Sequence, residues 1–320
     1  MRFIIFLLNL FREYITQRHK GTEARKRGEV PLEEILKAAV RRNIKKRKIL
    51  DGILYGLMAA ATVTVIISLL FVIVYIFRSQ AGFLNFKFLF SAETGILPMI
   101  VTTLYVVLVS IAVALPVGIA SSIFLNEYSG NSPRVRILRL AIETLAGIPS
   151  IIYGLFGLLV FCRLLNFGQS IIAGSLTLSI MILPVIIRTT EESLKSIPDS
   201  FREGSLALGA TKFQTIVHVV LPSALPGILT SVILAIGRVV GESAPVLLTV
   251  GLSKNMPRTI FESGRTLTIH LYYLTNEAVR PEDFGIAFAT AAVLVILVLI
   301  INAAAKIITN NFRKKLGETL

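Results

Sequence analysis

The 320-residue sequence contains one cysteine, three histidines and no glycine followed directly by lysine. A single thiol excludes an intrachain disulfide and leaves the redox compartment undecided; Cys162 lies inside an apolar run, where packing accounts for it. His19, His218 and His270 are far apart, and no group of His, Cys, Asp and Glu has the spacing of metal ligands, so no metal site is expected. Without a Gly-Lys pair there is no phosphate-cradling loop of the form G-x-x-x-x-G-K-[ST]. Any ATP hydrolysis must therefore come from a partner. No nucleophile–base constellation marks an enzyme, and no cofactor is implied.

Acidic residues are also scarce, 19 against 33 Lys and Arg, for a net charge of +14. Such a balance suits nucleic acid, but 54% of the residues are apolar and the mean hydropathy is +0.76. In a membrane protein the position of the basic residues matters more than their sum, and nucleic acid is not an expected partner. A hydrocarbon core of about 30 Å takes about 20 helical residues. Six segments qualify, near 52–77, 97–125, 137–162, 170–190, 222–250 and 284–308. With the N-terminus inside, 25 of the 33 basic residues fall on the inner side. That asymmetry predicts an all-α protein of six spans, with both termini cytoplasmic.

Four regions follow: a basic arm over 1–50, a six-span domain over 51–310, an inner loop over 191–222 within it, and a basic tail over 311–320. In the arm, "RFIIFLLNLF" is too short to span and lacks a small-residue cleavage site, which favours an interfacial anchor over a signal peptide. "PLEEILKAAVRRNIKKRKIL" lines Leu32, Ile35, Leu36, Ala39, Val40 and Ile44 along one helical face, as expected of a helix lying on the inner leaflet. Its basic cluster either binds anionic membrane lipids or only fixes topology.

"ILAIGRVVGESAPVLL", residues 233–248, sets Arg238 and Glu242 in an apolar run. A lone cation at the centre of a membrane helix costs roughly 2.5 to 3.5 kcal/mol, so such residues face a partner or a water-filled path. Counted from Ala224, Arg238 lies about 21 Å along a helix, near or just past mid-bilayer, with Glu242 one turn further on the same face. A guanidinium fork matches an oxyanion, and Glu242 offsets its charge or accepts from a protonated oxygen. The other reading is a buried pair bracing two helices. Gly147, Ile148 and Pro149 predict a kink in span three that exposes carbonyls beside Ser150 and Tyr153. These residues, and with them Thr102 and Thr103, either line a path or pack a bundle. Arg188 to Glu192 read as loop architecture or as support for an ATPase contact.

"SIPDSFREGSLALGATKFQTIVHVVLP" reads as two short helices: Ser200 with Glu203 fits a capping box, Gly209 a C-terminal stop, Thr211 with Gln214 a second box, and Pro222 a second stop. The spacing of Glu203, Gly204, Ser205, Gly209 and Val219 to Pro222 resembles the "EAA" loop of ABC importer permeases, with Gly204 and Ser205 in place of its alanines and Val219 in place of its isoleucine. "ETLAGIPSIIYGLFGLL", "LPVIIRTTEESLKSIPDS" and "GRVVGESAPVLLT" extend the resemblance to the phosphate-specific importer, more to its PstA-type permease than to the PstC-type sibling. That resemblance covers about 52–308 and implies the type I, MetI-like permease fold, with Glu203, Gly204, Ser205 and Gly209 docking an ATPase. It also implies a PstC-like second permease, two ATPase copies, an extracytoplasmic phosphate-binding protein and an inner-membrane location. The rivals are a permease for molybdate or sulfate, and an ion-coupled secondary transporter or channel using Arg238 and Glu242 as a relay.

Overall fold

Long apolar runs have no water to satisfy their backbone groups, so they close their hydrogen bonds within helices. In the computed structural model every described element is helical. The structure describes residues 32–317 apart from 80–81, 83, 92–94, 131 and 278–280. The expected anchor and charged linker before residue 32 lie outside the described residues.

The chain divides into two units, Met1–Ile73 and Val74–Leu320. Helix α1, Leu32–Ser79, is unbroken for 48 residues. The separate surface helix expected to end near residue 50 is thus continuous with the first span; nothing in "KKRKILDGIL" stops a helix, since it lacks proline and Gly52 alone costs only about 1 kcal/mol. From Asp51 onward nearly all its side chains are exposed, an apolar surface fit for lipid.

The second unit continues with α2 (Phe86–Phe90), α3 (Leu97–Ile123), α4 (Pro133–Ala146), α5 (Ser150–Gly157) and α6 (Ile171–Lys195). Then come α7 (Asp199–Ala207), α8 (Lys212–Thr215), α9 (Leu221–Gly241), α10 (Ala244–Thr249), α11 (Leu267–Asn276) and α12 (Pro281–Gly317). Three π-helical turns, at Phe124–Tyr128, Leu158–Leu164 and Ile216–Val220, extend α3, α5 and α8. Among the described residues five helices are long and apolar enough to cross a membrane, and Pro133–Ala146 with Ser150–Leu164 forms a sixth candidate bent by 98°. Span three is therefore a right-angled pair rather than a kinked rod. Pro149 explains the break: it fixes its own φ, lacks an N–H and disfavours helix at Ile148.

Helix α6 is the hub, with 67% of its most apolar window buried against 33% for the windows of α3 and α12. Leu178, Met181, Ile182 and Ile186 on α6 meet Val106, Val107 and Ala114 of α3 and Ala235 and Val239 of α9. Lipid drives helices together less strongly than water does, so small residues and hydroxyls carry much of such a contact. Along α3 and α6, Ser110 donates to the Ser175 carbonyl (3.1 Å), Ser175 to Val106 (3.5 Å), Ser179 to Ser110 (3.0 Å) and Ser122 to Ile187 (2.9 Å). Gly118 lets the helices approach: a Cβ there would lie 2.5 Å from an Ile186 methyl.

Candidate functional site

Span five begins earlier and ends earlier than the sequence suggests. Helix α8, the Ile216–Val220 π turn and α9 run together from Lys212 to Gly241. Pro222 does not stop it but sits in the first turn of α9. The π turn just upstream, where the Leu221 N–H reaches the Ile216 carbonyl, widens the helix enough to admit the proline ring. The helix instead breaks at Glu242, whose backbone is extended (φ −77°, ψ 134°), before α10 resumes with Pro245 in its first turn. Pro245 has no N–H to donate back to the Gly241 carbonyl, and its ring would crowd that carbonyl in a continuous helix, which accounts for the break.

The expectation that Glu242 continues one turn along the same helix is thus corrected: it terminates the helix. Its carboxylate still turns back toward Arg238, with Nε–Oε1 at 3.9 Å, a loose ion pair with side-chain exposures of 32% and 18%. Both groups retain most of their hydrogen-bonding capacity. The Glu242 carbonyl, freed by the break, accepts from Thr268 Oγ1 at 3.0 Å in the first turn of α11.

The wall beside this break is close-packed. A Cβ on Gly154 of α5 would stand 2.7 Å from Cα of Pro245, so α5 meets α10 backbone to backbone, and one on Gly174 of α6 would stand 2.1 Å from a Val250 methyl, so the end of α10 packs its side chains against the α6 backbone. Tyr153 is buried and donates to the Leu145 carbonyl at 2.7 Å, bridging the bend between α4 and α5. Ser150, half-buried, opens α5 on the other side of the bend.

Thr103 bonds to α11 one residue before the threonine that holds the Glu242 carbonyl. It is buried, donates to the Met99 carbonyl at 2.7 Å and accepts from the Leu267 N–H at 3.0 Å, fastening the start of α11 to α3. Thr102, also buried, bonds to Pro98. Cys162 packs, its thiol 3.7 Å from the Thr249 carbonyl.

At the other end of α6, Glu191 is buried and takes Arg139 of α4 at 2.8 Å and Lys195 at 2.7 Å; Arg188 pairs with Glu192 at 3.2 Å. These charges line a cavity of about 200 Å³ between α4 and α6. The Arg139–Glu191 contact joins residues far apart in sequence, and nothing local announces it.

The loop carries α7 and α8. Gly209 ends α7 with a left-handed backbone (φ +87°), and Thr211 with Gln214 forms the expected capping box. The Ser200–Glu203 box is absent, because Pro198 caps α7 two positions earlier and puts Ser200 inside the helix. Glu203 and Gly204 are exposed, with open space where a Cβ on Gly204 would be, while Ser205 shares a hydrogen bond with Thr215 at 2.9 Å. Phe201, Leu206, Leu208 and Phe213 are exposed too, Leu208 by 91%. Apolar side chains displayed on a polar loop mark a surface made for another protein.

A bundle of membrane-crossing helices with a short capped loop and a broken fifth span defines a permease, and comparison with known proteins agrees. Residues 114–316 match the family described as binding-protein-dependent transport system inner membrane component, and the chain belongs to that family. It is 35% identical over 292 residues to the probable ABC transporter permease protein YqgI of Bacillus subtilis, covering 84% of this chain and 98% of that one. It is 40% identical over 192 residues to the phosphate transport system permease protein PstA of Mycobacterium leprae, covering 60% of this chain and 62% of that one. The fold matches a chain of the inward-facing MetNI methionine ABC transporter (TM-score 0.57, 23% identity, 72% and 99% of the two chains). It also matches a chain of a bacterial alginate ABC transporter solved with a periplasmic protein (TM-score 0.60, 18% identity, 84% and 97%). The chain is a multi-pass membrane protein with the type I permease fold, a permease subunit of an ABC importer.

Proposed function

We propose that this chain is one of two permeases of an ATP-driven importer of inorganic phosphate, set in a bacterial-type cytoplasmic membrane with both termini cytoplasmic. It pairs with a PstC-like permease, receives phosphate from an extracytoplasmic binding protein and is driven by two copies of an ATPase. The observation that carries the reading is the loose Arg238–Glu242 pair at the break of α9. A brace would be closed and shielded, whereas this guanidinium keeps donors free for an oxyanion. The phosphate-transport name of the M. leprae relative supports the choice of anion.

In this reading Arg238 binds the phosphate oxygens, Glu242 moderates the charge and accepts from a protonated oxygen, and Ser150 borders the path. Tyr153 and Thr103 hold its walls. The loop 191–222 is the coupling element, with Glu203, Gly204, Ser205 and Gly209 shaping the surface offered to the ATPase. The arm 1–50 and the tail 311–320 lie on the cytoplasmic side of the permease domain, 51–310.

The test is ATPase stimulation of the purified complex by binding protein loaded with phosphate, sulfate or molybdate. Phosphate alone is expected to stimulate. Equal stimulation by sulfate or molybdate would overturn the choice of anion, and uptake driven by an ion gradient without nucleotide would overturn the transporter class.

A further inference from the structure

The coupling loop is covalently joined to α6 before it and to α9 after it, and a charged side chain also fastens it to a third helix. Arg202 of α7 reaches the Phe124–Tyr128 π turn at the end of α3. Its Nη2 donates to Glu127 Oε1 at 2.9 Å, and its Nε lies 3.3 Å from the same oxygen. The remaining donors go to the Ile197 and Leu194 carbonyls, both at 2.9 Å, and to exposed Asp199 at 3.2 Å. Arg202 and Glu127 are largely shielded, with side-chain exposures of 17% and 7%. A guanidinium whose planar fork is fully engaged has one orientation, and it transmits that orientation to its helix. A second contact lands on the same turn: the Lys212 ammonium, at the start of α8, stands 5.0 Å from the centre of the Tyr128 ring. Both halves of the loop are therefore clasped to the end of α3, and the Ser205–Thr215 hydrogen bond joins the halves to each other.

We propose that Arg202 and Glu127 form a clasp that carries force from the ATPase-docked loop into α3, making Arg202 a positioning residue for transport that does not itself touch ATPase or substrate. The inference rests on the reading of the loop as the ATPase-docking element. With the clasp closed, a displacement of α7 moves the π turn and hence α3, whose serine contacts with α6 carry the movement into the core. With it open, α7 can tilt against the bundle, and the ATPase cycles without moving the spans in step.

The measurement is phosphate uptake per ATP hydrolysed, in vesicles containing the whole complex. Arg202→Met is expected to keep the ATPase bound and hydrolysing while uptake per ATP falls about tenfold. Arg202→Lys, which retains charge but cannot satisfy Glu127 and both carbonyls together, should fall in between, and it carries the test if Arg202→Met does not assemble. Exchange of the charges, Arg202→Glu with Glu127→Arg, should recover part of the loss. Asp199→Asn, at the exposed partner, should change nothing. Wild-type uptake per ATP in assembled Arg202→Met or Arg202→Lys complexes would overturn the clasp. Absence of any ATPase from the wild-type preparation would instead remove the reading on which the clasp depends.

Discussion

Tyr153 donates its hydroxyl proton to the carbonyl of Leu145 across a 98° turn of the chain. The Leu145 carbonyl at the end of α4 also takes the Ile148 N–H at 3.1 Å, so the tyrosine supplies its second donor from inside α5. Tyr153→Phe removes the donor and keeps the ring, so it should destabilise by about 1 kcal/mol, the usual net worth of such a bond. Thermal unfolding in detergent checks this. A larger transport defect than the stability loss explains would mean that the angle of the bend sets the position of Arg238.

Arg238→Gln tests the anion site itself. Loss of charged hydrogen bonds worth about 1.5 to 3 kcal/mol should lower phosphate uptake roughly 10- to 100-fold, with the complex assembled and its basal ATPase intact. Arg238→Lys should recover only part, since an ammonium lacks the fork. Glu242→Gln separates the roles: a brace would lose assembled complex, whereas an anion-facing pair should change transport or its pH dependence and leave the fold. An Arg238→Gln protein that unfolds in proportion to its lost uptake would refute the pathway role.

Gly204→Trp addresses the loop. Among the described residues nothing opposes a side chain there, so the variant should insert and fold normally. An indole on the docking face should prevent the ATPase from co-purifying. Recovery of the ATPase at wild-type yield would exclude Gly204 from the contact.

Gly154→Ala is the steric counterpart. Its Cβ would meet the Pro245 backbone at 2.7 Å, where no rotamer change gives relief. Overpacking of this kind costs about 1 to 3 kcal/mol. A lower melting temperature is expected, and an unchanged one would mean that α5 and α10 separate easily.

His270 supplies a pH signature. Burial, then the charges of Arg265 and Lys254, push it down to about 4 from an ordinary value of 6.5. The folded protein thus holds it neutral, while the unfolded chain takes up a proton once the pH falls below about 6.5. Stability should be undiminished above that pH and decline between about 6.5 and 4, by roughly 3 kcal/mol in all. His270→Gln should flatten this part of the profile, measured as melting temperature against pH; an equal decline in both proteins would assign it to other groups.

What the sequence makes legible here is local. Apolar length gives the spans, Gly209 and the Thr211–Gln214 box give the loop, and Pro149 gives a break, because each signal acts within a turn or two of itself. The size of the bend is not legible, since packing of α5 onto α10 sets it. The early end of α9 was signalled by Pro245, but the apolar run through Ala244 to Val250 masked it. The Arg139–Glu191 and Arg202–Glu127 pairs were out of reach, because charges on opposite sides of a folded bundle leave no periodic trace.

The serine seam between α3 and α6 limits how this protein can move. Ser110 and Ser175 each reach one carbonyl on the facing helix, while Ser122 and Ser179 also reach a carbonyl of their own, so sliding one helix along the other would break all four cross-helix bonds and leave the Ser110 and Ser175 hydroxyls mismatched in a medium with no water to replace them. Rotation of the two helices together breaks none of these bonds. The pair therefore behaves as one stiff plank, and opening toward one side of the membrane or the other is a matter of pivoting that plank at its edges.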